Sequence, residues 1–233
     1  MDMGTIRVAI DGPAGAGKST VAKTVARMFQ LEYIDTGAMY RAVTWGIIHG
    51  NIPLDDERQL RSFLGSLQLS VEHGADDRQS VWLNGQEINE QIRSPQVTNY
   101  VSVVAAQPLI RERLVELQRE IARHKSVIMD GRDIGTVVFP DADVKFFITA
   151  SLEVRAMRRY RELLARGLAV DYEVVKQELQ RRDELDSKRA HSPLQPAPDA
   201  IILDTSEMTL TEVVERVSET IRRVKRGEHP CTT

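Results

Sequence analysis

Residues 5 to 20 read Thr-Ile-Arg-Val-Ala-Ile-Asp-Gly-Pro-Ala-Gly-Ala-Gly-Lys-Ser-Thr, and the reading of this stretch decides the fold. Ile6, Val8 and Ile10 alternate with their neighbours as a short strand does, and Val21, Val25 and Met28 then recur on one face of a helix. Between them residues 12–19 fit the pattern G-x-x-x-x-G-K-[ST], so Gly12, Pro13, Ala14, Gly15, Ala16, Gly17, Lys18, Ser19 and Thr20 are the expected nucleotide contacts. Glycines let backbone N–H groups turn toward an anion, and the helix that starts after Gly17 adds the positive end of its dipole. Lys18 is spaced to reach the β- and γ-phosphates, and the Ser19 hydroxyl to join Mg²⁺. A glycine-rich loop by itself implies only a turn. The strand, lysine, hydroxyl and amphipathic helix around this one imply binding of a nucleoside triphosphate with Mg²⁺.

Outward from the loop, four more strands are expected at 32–35, 126–130, 144–149 and 200–204, with helical patterns between or after them. Short apolar strands alternating with helices imply an α/β fold, a five-stranded parallel sheet flanked by helices, whose ligands lie beyond the carboxyl ends of the strands. Asp11, Asp35 and Asp130 stand at such ends. Ser94-Pro95 reads as the cap and first turn of a helix through Ala106, and Thr209 with Glu212 as a capping box before the last helix. One stretch breaks the alternation. Leu67, Leu69 and Val71 alternate with polar residues, and residues 80–83 and 86–88 flank Asn84-Gly85, a strong hairpin signal. A small antiparallel β subdomain is therefore expected at 63–93, inserted in a core made of 1–62 and 94–226. It is either a structural cover or a mobile flap beside a substrate. Residues 192–198, with three prolines, read as an extended connection, and 227–233 as a frayed tail.

Composition limits the function classes. The chain has 233 residues, 42% apolar and 28% charged, enough for a full α/β core and a small appended unit. No run approaches the roughly 18 apolar residues of a membrane span, and the N-terminus lacks a signal-peptide layout, so a cytoplasmic protein with no membrane partner is expected. Cys231 is the only cysteine, which excludes an intramolecular disulfide and a cysteine metal site. His49, His73, His124, His191 and His229 are scattered without ligand spacing. A formal net charge of −3 argues against a general nucleic-acid binder. Yet Arg155, Arg158, Arg159, Arg161, Arg166, Arg181, Arg182, Lys188 and Arg189 crowd one segment. They read either as solvated helix faces, with pairs such as Arg158 and Glu162, or as phosphate ligands.

A guanine-binding Asn-Lys-x-Asp segment is absent from the sequence, which weakens a switch reading. Two further clusters suit anions. Asp35-Thr36-Gly37-Ala38-Met39-Tyr40-Arg41 closes the second strand and opens a helix, offering backbone donors, the Thr36 hydroxyl and Arg41. Asp130-Gly131-Arg132-Asp133-Ile134-Gly135-Thr136 closes the next strand, where Arg132 can form a bidentate fork with phosphate. A triphosphate loop and a second anion site fit phosphoryl transfer between phosphate groups. Another small-molecule kinase of this fold, or a nucleotide-dependent binding protein, fits the same clusters.

These segments, in this order, resemble the bacterial cytidylate kinases over about residues 5–226: the phosphate loop at 11–20, the monophosphate-site helix at 35–41 and the run 130–140, which continues as Val137-Val138-Phe139-Pro140. Arg182-Asp183 and Asp186-x-x-Arg189 resemble the segment after that family's lid, and the small inserted sheet resembles its long form. The resemblance implies transfer of the ATP γ-phosphoryl group to CMP or dCMP. It implies that Ser102, Arg111 and Asp133 read cytosine, that Arg182 and Asp186 meet the sugar, and that Arg41, Arg132 and Arg189, with Thr36 and Tyr40 nearby, hold the CMP phosphate. A carboxylate opposite the amine and an Arg or hydroxyl opposite the acceptors do suit the cytosine edge. An ion-pair network among Arg182, Asp183, Asp186 and Arg189 is the competing reading of that segment. Lys18, Arg132 and the lid arginines Arg155, Arg158 and Arg159, in a lid near 155–170 with Gly167 as its turning point, would stabilise the transferring group. Ser19 and Asp130 would serve Mg²⁺, and the sites would function in a monomer.

Overall fold

The alternation at Ile6, Val8 and Ile10 becomes the central strand of a parallel sheet in a computed structural model that describes residues 5–73 and 79–228. In chain order the elements are β1 (Arg7–Asp11), α1 (Lys18–Phe29), β2 (Glu32–Asp35), α2 (Thr36–His49), α3 (Glu57–Gly65), β3 (Leu69–His73), β4 (Gln79–Leu83) and β5 (Gln86–Glu87). They continue as α4 (Pro95–Val104), α5 (Pro108–Ala122), β6 (Val127–Gly131), β7 (Val144–Thr149), α6 (Leu152–Ala165), α7 (Tyr172–Ser187), β8 (Ile201–Asp204) and α8 (Leu210–Lys225). Of the expected tail, residues 229–233, including His229 and Cys231, lie outside the described residues. The described chain forms two units, residues 5–34 with 121–228, and residues 35–120.

The first unit holds the five-stranded parallel sheet, in the order β2-β6-β1-β7-β8. Because side chains alternate across a strand, Val8 and Ile10 share one face with Ile128, Phe146 and Ile148. That face is packed by Val21, Ala22 and Val25 of α1 and by Val213, Val217 and Ile221 of α8. The strand order turns at β1, whose neighbours β6 and β7 run parallel to it on either side. Such a switch point opens a crevice at the carboxyl ends of the strands. In register, Asp11 lies beside Gly131 on one side and Phe147 on the other, which puts the loops after β1, β6 and β7 at one edge. Caps read from sequence form as expected: Ser94 accepts from the Val97 N–H, and Thr209 with Glu212 makes the full capping box.

In the second unit β3, β4 and β5 form the expected antiparallel sheet, with Leu69 opposite Leu83 and Val71 opposite Val81. Asn84 and Gly85 carry positive φ of 50° and 79°, the primed geometry that matches strand twist. Asn84 also closes the turn's approach, its side chain accepting from the Gln68 N–H at 2.9 Å. Val81, Leu83 and Ile88 are buried, and α2 packs on β3 and β4.

Two glycines separate steric from conformational demand. A Cβ on Gly12, at φ 144°, would sit 1.9 Å from the Ile148 carbonyl oxygen, whereas one on Gly85 would meet nothing within 4 Å. Gly85→Ala is expected to lose about 1–2 kcal/mol by denaturant titration, the penalty of a left-handed residue. Gly12→Ala must displace backbone and is expected to abolish nucleotide binding even where circular dichroism shows a folded chain. Equal losses from the two substitutions would contradict this account.

Candidate active site

The loop after β1 is ordered by cations bound to its carbonyl oxygens. Lys18 Nζ donates to the Pro13 carbonyl at 2.7 Å, Arg155 Nη1 to the Ala14 carbonyl at 3.1 Å, and Arg158 Nη1 to the Ala16 carbonyl at 3.4 Å. Each contact pairs a loop carbonyl with a cationic side chain. At the end of the loop Gly17, φ 90°, precedes α1 with no side-chain cap and no acidic residue in the first turn. The N-termini of α2, α3, α4, α6, α7 and α8 are instead capped by Asp35, Asp56, Ser94, Ser151, Asp171 and Thr209. α1 therefore presents its first N–H groups and the positive end of its dipole to a ligand, as an anion site requires.

Lys18 is 5% exposed. Burial, reinforced by the Arg132 and Arg182 guanidiniums and opposed by Asp130 and Asp11, pushes its ammonium down to about 7. Ser19 Oγ donates to Asp130 Oδ2 at 2.8 Å, and the Tyr33 hydroxyl donates to Asp130 Oδ1 at 2.8 Å. A hydroxyl and a carboxylate are hard oxygen donors that suit Mg²⁺, which keeps most of its shell for water and phosphate. Among the described residues no cluster of three or more His, Cys, Asp or Glu could hold a metal, and a nucleotide-borne Mg²⁺ needs no such cage.

The second cluster in this unit is built around Asp186, 1% exposed on α7. Arg132 Nε donates to its Oδ2 at 2.8 Å, and Arg189 donates to its Oδ1. Burial alone would raise this carboxyl, but Arg132, Arg189 and Arg182 outweigh it and hold the group down at about 2. Arg155 also bonds the Ala150 carbonyl at 2.9 Å and pairs with Asp183 at 2.7 Å. Burial raises the Asp183 carboxyl against the pull of Arg155. Arg158 reaches the Thr205 carbonyl at 2.7 Å, and Arg159 pairs with Glu162 at 2.7 Å. Arg155, expected at the transferring phosphate, thus contacts the loop backbone, with donors on two carbonyls and Asp183. Gly167, the expected turning point, has a left-handed φ of 76° between α6 and α7.

The remaining expected residues lie in the second unit. Thr36, Tyr40, Ser102 and Arg111 are buried. Arg111 stacks over the Tyr40 ring at 5.4 Å and donates to the Ala105 carbonyl at 3.1 Å, while Arg41 donates to Thr98 Oγ1 at 3.0 Å. The N-terminus of α2 differs from expectation: Asp35 accepts the Ala38 N–H at 2.9 Å, so a carboxylate already occupies a donor that was expected to face an anion.

The sequence places Asp11 at a strand end and at the start of the phosphate-loop run, with no partner assigned to its carboxylate. Its carboxylate, 3% exposed, accepts from the Ile134 N–H at 2.8 Å and the Gly135 N–H at 2.7 Å. Sequence reasoning also missed Tyr33 and Thr205, and its one usable signal was the acid standing directly before the glycine loop.

Comparison with known proteins agrees with this geometry. The family model described as cytidylate kinase matches residues 8–223. A cytidylate kinase of Caldanaerobacter subterraneus is 52% identical over 224 residues, spanning 96% of this chain and 98% of that one. That of Carboxydothermus hydrogenoformans is 50% identical, over 94% and 98%. A bifunctional pantoate ligase/cytidylate kinase of a Synechococcus strain is 49% identical over 93% of this chain, which spans 41% of that longer protein. An uncharacterized protein from Eubacterium ventriosum shares the fold, with TM-score 0.52 at 13% identity over 94% of this chain and 99% of that one. A strand running into an uncapped, cation-braced phosphate loop, with a second arginine cluster beyond the neighbouring strand, is thus matched along nearly its whole length by one family, and the chain belongs to the cytidylate kinases.

Proposed function

We propose that this chain transfers the γ-phosphoryl group of ATP to CMP or dCMP, giving ADP and CDP or dCDP. The observation that carries the reading is the braced loop ahead of the uncapped α1, beside a strand end that bears Arg132 and Asp133. An oxygen of the CMP phosphate attacks the γ-phosphorus as the bond to the β–γ bridging oxygen breaks, and that oxygen leaves on ADP. The attacking oxygen is already anionic, so no strong base is required, and alignment with charge neutralisation supplies the rate. Lys18 and the loop N–H groups hold the triphosphate. Arg132, Arg155, Arg158 and Arg159 neutralise charge during transfer, and Arg155 also keeps the loop in shape. Mg²⁺ bound with the nucleotide, near Ser19 and Asp130, would neutralise phosphate charge.

On the acceptor side, Arg41, Arg132 and Arg189 hold the CMP phosphate, with Thr36 and Tyr40 in support. Ser102, Arg111 and Asp133 read cytosine, and Arg182 and Asp186 meet the sugar. Residues 155–170 act as a closing lid and 63–93 as an inserted subdomain, in a cytoplasmic monomer. No described helix is long and apolar enough to cross a membrane. A coupled assay of ADP release with CMP, dCMP, UMP, AMP and GMP tests the reading. CMP and dCMP are expected to be the fastest acceptors, and equal rates with AMP or GMP would overturn it.

Removal of the phosphate contact gives a second measurement. Lys18→Ala is expected to fold, by circular dichroism, and to lose turnover by about a thousandfold, or about 4 kcal/mol. Near-normal turnover in the folded variant would contradict the role of Lys18.

Burial of Lys18 also predicts a proton linkage. Below about pH 7 the free protein carries the ammonium, and above it the amine. Triphosphate favours the ammonium, so binding at about pH 8 takes up a proton and affinity falls by up to about tenfold per pH unit above 7. Titration calorimetry in two buffers of different ionisation enthalpy reads the net uptake, and Lys18→Ala should lower it to the share of Asp11, whose carboxyl burial raises to about 7. No uptake by the wild-type chain would place the ammonium at its ordinary value.

A further inference from the structure

The turn after β6 opens with an unusual division of labour. Residues Ile134–Val138 form a single π-helical turn whose N-cap position is Asp133, yet the Asp133 side chain makes no capping bond to it. The first two N–H groups of that turn are satisfied instead by Asp11, 123 and 124 residues away in sequence. Both bonds are short, and the carboxylate is buried between β1 and the turn. Lys145 packs beside this carboxylate: a Cβ on Gly135 would lie 3.1 Å from its Cδ and 3.4 Å from Asp11 Oδ2. Lys145 is itself fixed, its Nζ donating to the Pro140 carbonyl at 2.7 Å and to Asp199 at 2.9 Å. The turn is thus packed tightly against Lys145 as well as bonded to Asp11.

Arg132 and Asp133 are the residues between β6 and this turn, and Asp11 is the residue directly before Gly12 of the phosphate loop. We propose that Asp11 is a positioning residue for phosphoryl transfer: its carboxylate locks the turn that carries Arg132 and Asp133 to the start of the phosphate loop, setting the distance between the donor and acceptor phosphates. A carboxylate is suited to this because it accepts two converging N–H groups with no donor of its own. An amide in its place would turn an N–H against a backbone N–H and break one of the two bonds. Misplacement of reacting groups by about 1 Å reduces transfer by about a hundredfold, so a lock of two hydrogen bonds matters to rate more than to fold.

This inference rests on the reading of Arg132 and Asp133 as CMP ligands, and the test separates the two. In Asp11→Asn, KM for CMP is expected to rise about tenfold or more and kcat to fall, while the Kd of ATP, measured without CMP at about pH 6 where Lys18 keeps its proton, rises by far less. Hydrogen exchange at the Ile134 and Gly135 amides should quicken in the same variant. Gly135→Ala, whose Cβ would press on Lys145 and on the Asp11 carboxylate and so disturb the same lock, should give the same kinetic pattern, and it stands in should Asp11→Asn fail to fold. Unchanged exchange at both amides, or a loss confined to thermal stability with both kinetic constants intact, would overturn the positioning role. Asp133→Ala checks the underlying reading: an unchanged KM for CMP there would remove the CMP assignment, and the exchange result would then decide the lock alone.

Discussion

Backbone N–H groups can face a phosphate only where the carbonyl oxygens of the same loop find partners elsewhere. In this chain those partners are cationic side chains, Lys18 on Pro13, Arg155 on Ala14 and Arg158 on Ala16. Each also screens a partial negative charge that would repel the ligand, so the same contacts shape the loop and set its potential. The rest of the first unit follows from the need to bring these cations to the loop. α6 runs from Ser151 so that Arg155 and Arg158, nearly one turn apart, meet successive parts of the loop, and Thr205 after β8 receives the far side of Arg158.

Cations gathered in this way need compensation while no phosphate is bound. Asp186 takes Arg132 and Arg189, and Asp183 takes Arg155. The ion pairs expected as the competing reading of the arginine-rich segment thus form around Asp183 and Asp186, and they leave its reading as a ligand site a proposal. Buried pairs of this kind contribute little net stability, since desolvation offsets most of the attraction, but they fix the guanidiniums in place before a substrate arrives. Lys18 has a carbonyl as its hydrogen-bond partner, and burial with the Arg132 and Arg182 guanidiniums pushes its ammonium down against the pull of Asp130 and Asp11.

What the sequence made legible was what spacing encodes. The strands at 7–11 and 144–149, the Asn84-Gly85 hairpin and the Thr209 capping box each depend on residues within a few positions of one another, and each forms as read. The phosphate loop and the runs at 35–41 and 130–140 were readable because their order is distinctive. The partners of individual side chains were not readable. Arg155 meets Ala14 across 141 residues, Tyr33 meets Asp130 across 97, and Asp11 meets Ile134 across 123. No periodicity reports such pairings, since they are set by strand order in the sheet. Asp35 failed in the opposite sense: its capping of Ala38 is local and was readable, but the hope of a free helix N-terminus hid it.

The strand order supplies the missing link between those two kinds of information. Placing β1 between β6 and β7 makes the residues after Asp11, Gly131 and Thr149 neighbours in space, although more than a hundred positions separate the first from the others. Parallel strands hold their carboxyl ends in register, so three loops that carry different duties open at one edge. A displacement of one strand would move its loop by a full pleat and turn its last side chain to the opposite face. Asp11 is the residue most exposed to that constraint, because its carboxylate spans from β1 to the turn after β6 and accepts bonds only where the two strands stand in this register. The precision of the site is therefore a property of the buried sheet, delivered to the surface through one carboxylate and two amides.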